Sequence, residues 1–193
     1  CVTMEKFTLG QGYIIEPILV KVKKHTPISE VITDLLKKKY PGVSQPCKNE
    51  GTIESGFYLS YVYDTDTDIN IPGFILDAFG GNLGARASSS YLGEFDYSPW
   101  SGWIYSVNGD FVDTGASDWK LENKQVVRWQ FTLDKNDNAL YPTGQSPDVS
   151  LANKEALTWR VAQINAMSNK ASVLATGNNR EKYDNAMAVL VKI

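Results

Sequence analysis

The chain has 193 residues, 42% of them hydrophobic, enough to bury the core of one domain or of two small ones. Its formal net charge of -3 gives no basic field for nucleic acid, and no apolar run approaches the ~20 residues that a membrane span needs. Two cysteines and a single histidine are too few for a disulfide scaffold or a zinc site.

Val2 and Met4 alternate with Thr3 and Glu5, which predicts a first strand running toward Thr8, and Gly10 and Gly12 then mark a loop. Ile18, Val20 and Val22 alternate with Leu19, Lys21 and Lys23, a second strand and hence a hairpin. Thr26 as N-cap and Pro27 at the first helical position open a helix whose apolar stripe is Ile28, Val31, Ile32, Leu35 and Leu36. Pro41 and Gly42 end it. A strand follows over Phe57 to Tyr63, then a short helix near Pro72 to Phe79. Two further strands are expected, Gly102 to Val107, closed by Asn108-Gly109, and Gln125 to Phe131. In the last, Val127, Trp129 and Phe131 face one way, and Val126, Arg128 and Gln130 the other.

This order predicts an α+β fold, a β-grasp-like sheet wrapped on one helix and followed by a C-terminal helical hairpin. Residues 1–134 form the first unit. Residues 135–150, rich in Asn, Asp, Pro, Gly and Ser, read as a linker. The segment 151–193 carries two amphipathic helices: Asn153 caps the first, which bears Ala156, Leu157, Val161 and Ile164. Gly177 breaks the chain, and Asn179 opens the second, with Tyr183, Ala186, Met187 and Leu190. Two such helices cannot bury both stripes alone, so they must pack on the first unit or on another chain. A helical crossover would return the chain to the end of the sheet where strand one begins and bring Cys47 to Cys1. A disulfide there, worth on the order of 3–4 kcal/mol, is preferred over a lipidated Cys1 or two free thiols.

Candidate chemistry is sparse. His25, the sole histidine, sits in a lysine-rich turn and reads as a surface residue. Glu94 and Asp96 would share a strand face, yet solvated or structural roles are preferred over acid/base work. Asp64, Asp66 and Asp68 place oxygens at alternate positions, a weak calcium signal, because Ile69 and Ile75 stand where an EF-hand needs glycine and glutamate. The lysines at 21, 23 and 24 and at 37 to 39 read as the solvated rim of one helix in preference to a patch for an anionic partner. Aromatic residues crowd Tyr91, Phe95, Tyr97, Trp100, Trp103 and Tyr105. Large rigid rings with polar handles suit sugars, flat ligands or protein partners, and Tyr97, Trp100, Trp103 and Tyr105 are the candidate contacts. Of these, Trp100 beside Pro99 is the preferred exposed one, and a core role competes for Trp103.

Three segments carry a resemblance: residues 5–17 (EKFTLGQGYIIEP), residues 92–97 (LGEFDY) and residues 101–109 (SGWIYSVNG), with residues 127–132 (VRWQFT) as a closing strand. Over roughly residues 1–133 the chain resembles the transcobalamin-like C-terminal domain family of unknown function (DUF4430-type) found in bacterial surface proteins. The resemblance implies a β-grasp fold and an extracellular setting, and does not imply an enzyme. Relatives in animal cobalamin carriers cover one face of the vitamin with such a domain. The helical-barrel domain that closes that site is missing here, which argues against cobalamin. Where relatives carry Asp-Gly-Asp before the last strand, this chain has Glu122-Asn123-Lys124.

The expected function is thus a non-catalytic, extracellular or cell-surface module that binds or adheres to a protein or glycan partner. No cofactor is expected beyond the weak calcium signal. The alternative is a structural subunit that self-assembles into a surface layer or filament, its first strand edge or its helical tail held by a neighbour. No segment reads as a signal peptide, so a secreted protein would be represented by a mature or trimmed form.

Overall fold

A computed structural model of the chain describes residues 1–133 and 151–192. The expected linker over 135–150 lies outside the described residues. Strands β1 (Val2–Glu5), β2 (Tyr13–Ile18), β6 (Gly102–Val107), β7 (Asp110–Phe111) and β8 (Val127–Thr132) form one sheet in the order β2-β1-β8-β6-β7. β1 runs antiparallel to β2 and parallel to β8, and β8 is antiparallel to β6. Helix α1 (Ile28–Lys39) crosses between β2 and the later strands. The protein is α+β, and its central parallel pair is compatible with a β-grasp.

A second sheet, not foreseen as separate, contains β3 (Cys47–Glu50), β4 (Tyr58–Tyr63) and β5 (Tyr91–Gly93). Between the sheets, Val2, Met4, Trp129 and Phe131 meet Ile28, Ile32 and Leu36 of α1 and Leu59, Val62 and Leu92 of the second sheet. The full stripe foreseen for α1 is buried. The helix begins one residue later than expected, with Pro27 in the N-cap position, while the Thr26 hydroxyl donates to the Lys23 carbonyl at 2.9 Å. Helix α2 (Gly73–Ala78) matches the short helix expected there. The strand foreseen through Val20 and Val22 stops at Ile18, and the first strand gives way to a 3₁₀ turn at Phe7–Leu9. That turn ends at Gly10, whose φ of 67° and close approach to Asn70 leave no room for a side chain: a Cβ would lie 1.8 Å from the Asn70 carbonyl oxygen.

The other face of the five-stranded sheet is covered by α3 (Leu151–Asn165), α4 (Lys170–Leu174) and α5 (Asn179–Leu190). The five-residue α4 was not foreseen. Tyr13 joins Val161, Leu174, Tyr183 and Leu190 in a small apolar cluster there. A buried charge network lies beside it. Arg128 donates to Glu5 at 2.7 Å, to Glu155 at 2.9 and 3.0 Å and to the Thr158 hydroxyl at 2.8 Å, and Gln130 donates to Glu5 at 3.2 Å. Lys154, also buried, donates to the Lys192 carbonyl at 2.8 Å.

The expected disulfide is corrected. Cys1 and Cys47 are both free, buried thiols. Strand alternation explains why. Val2 and Met4 point toward α1, so Cys1 points the opposite way and packs with Val126 and Ala162 behind the sheet. Cys47 lies in the core on the front, and the sheet separates the two.

Candidate functional site

The turn from Gly93 to Ser101, between β5 and β6, is built around a buried carboxylate. Asp96 accepts from the backbone amides of Ala87 at 2.7 Å and Gly93 at 2.9 Å. The Phe95 amide reaches the Ser101 carbonyl at 3.2 Å, and the Ser98 hydroxyl oxygen accepts from the Trp100 amide at 3.1 Å. These bonds hold Phe95 at φ 67° and Tyr97 at φ 69°. Left-handed backbone is unfavourable for bulky side chains and persists only where surrounding bonds impose it. The result is outward display: Phe95 is 66% and Trp100 53% exposed, the two most exposed large hydrophobic side chains among the described residues.

A cleft of about 450 Å³ lies between β4 and β6, lined by Phe57, Tyr58, Trp103, Tyr105, Phe111 and Trp129 among others. Its polar handles are largely spent inside the protein. The Trp103 indole donates to the Leu92 carbonyl at 3.0 Å and the Tyr105 hydroxyl to the Thr114 carbonyl. Tyr105 tilts against Trp129 at 5.2 Å, and Trp103 meets Phe131 edge-on at 5.3 Å. The Tyr58 hydroxyl donates to Glu94 at 3.0 Å and so joins the cleft to the turn. Burial and the adjoining carboxylate push the Tyr58 phenol up to about 12, and burial and Asp118 do the same for Tyr105. Both hydroxyls stay protonated at neutral pH and serve as donors. The rings present a fixed apolar wall suited to stacking. No carboxylate, histidine or thiol is among the cleft's described lining residues.

Of the four predicted contact residues, Trp103 and Tyr105 therefore line the cleft and Trp100 stands on the turn. Tyr97 instead points into the core at 6% exposure, where burial raises its phenol. Phe95 belonged to the aromatic stretch yet was not among the four. Its display depends on a backbone angle that pattern alone does not reveal. Glu94 and Asp96, expected on a shared face, have separate roles, one binding Tyr58 and the other pinning the turn.

The acidic loop is not an open cation shell. Lys6 donates to Asp64 at 3.0 Å and to Asp66 at 3.2 Å, and Arg86 lies 3.6 Å from Asp64. Gln11 takes the carbonyls of Asp66 and Asp68 at 3.2 and 2.7 Å. A calcium ion at Asp64, Asp66 and Asp68 would have to displace a buried lysine, and no group of three acidic, histidine or cysteine residues able to hold a metal occurs among the described residues. No described helix is long and apolar enough to cross a membrane.

Comparison with known proteins finds a family match within this region. Residues 89–133, which span the turn and strands β5 to β8, match a domain of unknown function (DUF4430). This is the DUF4430-type resemblance read from the sequence, on a shorter span than residues 1–133. No curated protein matches the chain, and no solved structure matches it.

Proposed function

We propose that the chain is a non-catalytic binding module acting outside the bacterial cell, engaging a protein or glycan partner through the Phe95–Trp100 turn and the adjoining cleft. The observation that carries this reading is Phe95, held in left-handed backbone with two thirds of its side chain in water. Placing a phenyl ring there costs on the order of 1–3 kcal/mol of backbone strain and gains little burial, so its use lies in contact with something else. Rigid aromatic anchors of this kind dominate interface energetics.

Glycan and peptide arrays probed with the purified chain test the proposal. The Phe95→Ala/Trp100→Ala double variant, with an unchanged circular-dichroism spectrum, is expected to lose the captured ligand at least tenfold. Retention of full binding by that variant would remove the turn from the function. Ordered fibres in electron microscopy would replace the module by the self-assembling subunit.

A further inference from the structure

A second and larger groove, of about 910 Å³, lies at the end of the sheet where β1 and β8 begin and β2 ends, between the segments Leu19–His25 and Lys120–Gln125. Its rim carries Lys21, Lys23 and Lys24 on one lip and Lys120 and Lys124 on the other, with His25 beside them and Glu122 as the one acid in the lining. The first three lysines are thus not part of a helix rim, as the sequence implied. They follow β2 in a segment that ends in a turn at Lys24 and His25, and share the groove with a separate loop. The ion pairs among the described residues involve Lys6, Arg86, Arg128 and Arg180, and none of these five lysines. Five lysines line one groove in a chain whose net charge is -3, with the Lys120 ammonium held on the Ser117 carbonyl at 2.6 Å. Like charges along one groove repel, and an anion seated among them would relieve that repulsion.

The floor narrows the choice of anion. It is apolar, formed by Val2, Leu19, Leu121 and the partly exposed indole of Trp159, which α3 brings to the groove. A point-like anion would not use such a floor. A chain of rings bearing acid groups would, with one face over the indole and its carboxylates or sulfates on the lysines. Lysine ammonium groups on flexible stems suit repeated oxyanions along a polymer better than one forked contact. We propose that this groove binds an acidic polysaccharide. The site is separate from the Phe95–Trp100 turn and does not depend on it.

Isothermal titration of the full chain with oligogalacturonate, at low and at high salt, tests the assignment. Binding is expected at low salt and should weaken steeply with added salt, because screening and counterion release act on every lysine contact. A Lys21→Gln/Lys23→Gln/Lys120→Gln/Lys124→Gln variant should bind at least tenfold more weakly. A control with the same charge change at the exposed Lys37, Lys39, Lys182 and Lys192 should bind within twofold of the parent. Trp159→Leu, which keeps an apolar floor without the indole face, should lose severalfold for oligogalacturonate and nothing for poly-glutamate. Three results would overturn the proposal: no binding at low salt, equal loss in the control variant, or poly-glutamate or single-stranded DNA binding as tightly as the sugar acid. Phe95→Ala/Trp100→Ala should leave this affinity unchanged.

Discussion

The two faces of the five-stranded sheet are buried to a similar depth by different chemistry. On the front, Val127, Trp129 and Phe131 pack into an apolar core that α1 closes. On the back, the alternate residues of the same strand, Arg128 and Gln130, join Glu5 of β1 and Glu155 of α3 in a water-excluded charge network. An apolar core tolerates local change in proportion to the volume removed, whereas a buried charge network holds only if every member is present. The front thus makes the fold stable, and the back fixes where the C-terminal helices dock, because an apolar seam would permit sliding and Arg128 permits one register.

Substitutions on each face can break this contrast. The largest effect is expected from Arg128→Met, which strips the buried Glu5 and Glu155 of their hydrogen-bonded counterion and should cost about 3–5 kcal/mol in urea denaturation. Leu36→Ala, on the front, should cost about 3 kcal/mol, and Ile32→Val about 1. If Arg128→Met proves milder than Leu36→Ala, water reaches the network and the contrast fails. Replacing Glu5, Arg128, Lys154 and Glu155 together by leucine, methionine, methionine and leucine should leave stability within about 1 kcal/mol of the parent or raise it, since no orphan charge remains.

The pH dependence sharpens the same point. Burial lowers Lys154 to about 8 from 10.5, so between those values the unfolded chain holds a proton that the folded chain has released. Unfolding free energy should therefore rise as pH increases through that window, and the Lys154→Met variant should lose this component of the slope. Glu5 opposes it from the acid side. Burial outweighs the pull of Arg128 and raises its carboxyl, so its contribution to stability declines as pH rises above its ordinary range. The smallest effect belongs to the turn: in Phe95→Gly the strain relieved is offset by the added freedom of the unfolded chain, so stability should change by no more than about 1 kcal/mol while binding at the turn weakens.

The front face was legible in the sequence and the back was not, for a physical reason. The stripe of α1 and the alternation of β8 are periodic signals, and periodicity reports burial of apolar residues. Arg128, Glu5 and Lys154 are charged, so the same rule assigns them to solvent. Only the unbroken burial of both faces in β8 reveals the network. The cysteines misled for a related reason. Connectivity could place the ends of two segments near each other, yet it could not say that Cys1 faces the rear of the sheet. The candidate site was half legible. Trp103, Tyr105 and Trp100 stood out by residue type, while Phe95 was promoted and Tyr97 withdrawn by backbone angles and burial. The basic groove joins segments about a hundred residues apart in sequence, beyond the reach of a local charge count.

The parallel pairing of β1 with β8 has a kinetic corollary. Val2 lies beside Val127, so the strand that opens the chain has no neighbour on that side until the last strand has been made. Until then β1 and β2 are only a hairpin, and the apolar stripe of α1 lacks most of its cover. Such long-range pairing slows folding and lengthens the interval in which greasy surface is open to association. For a chain made on a ribosome, completion of the sheet must wait for β8 to emerge.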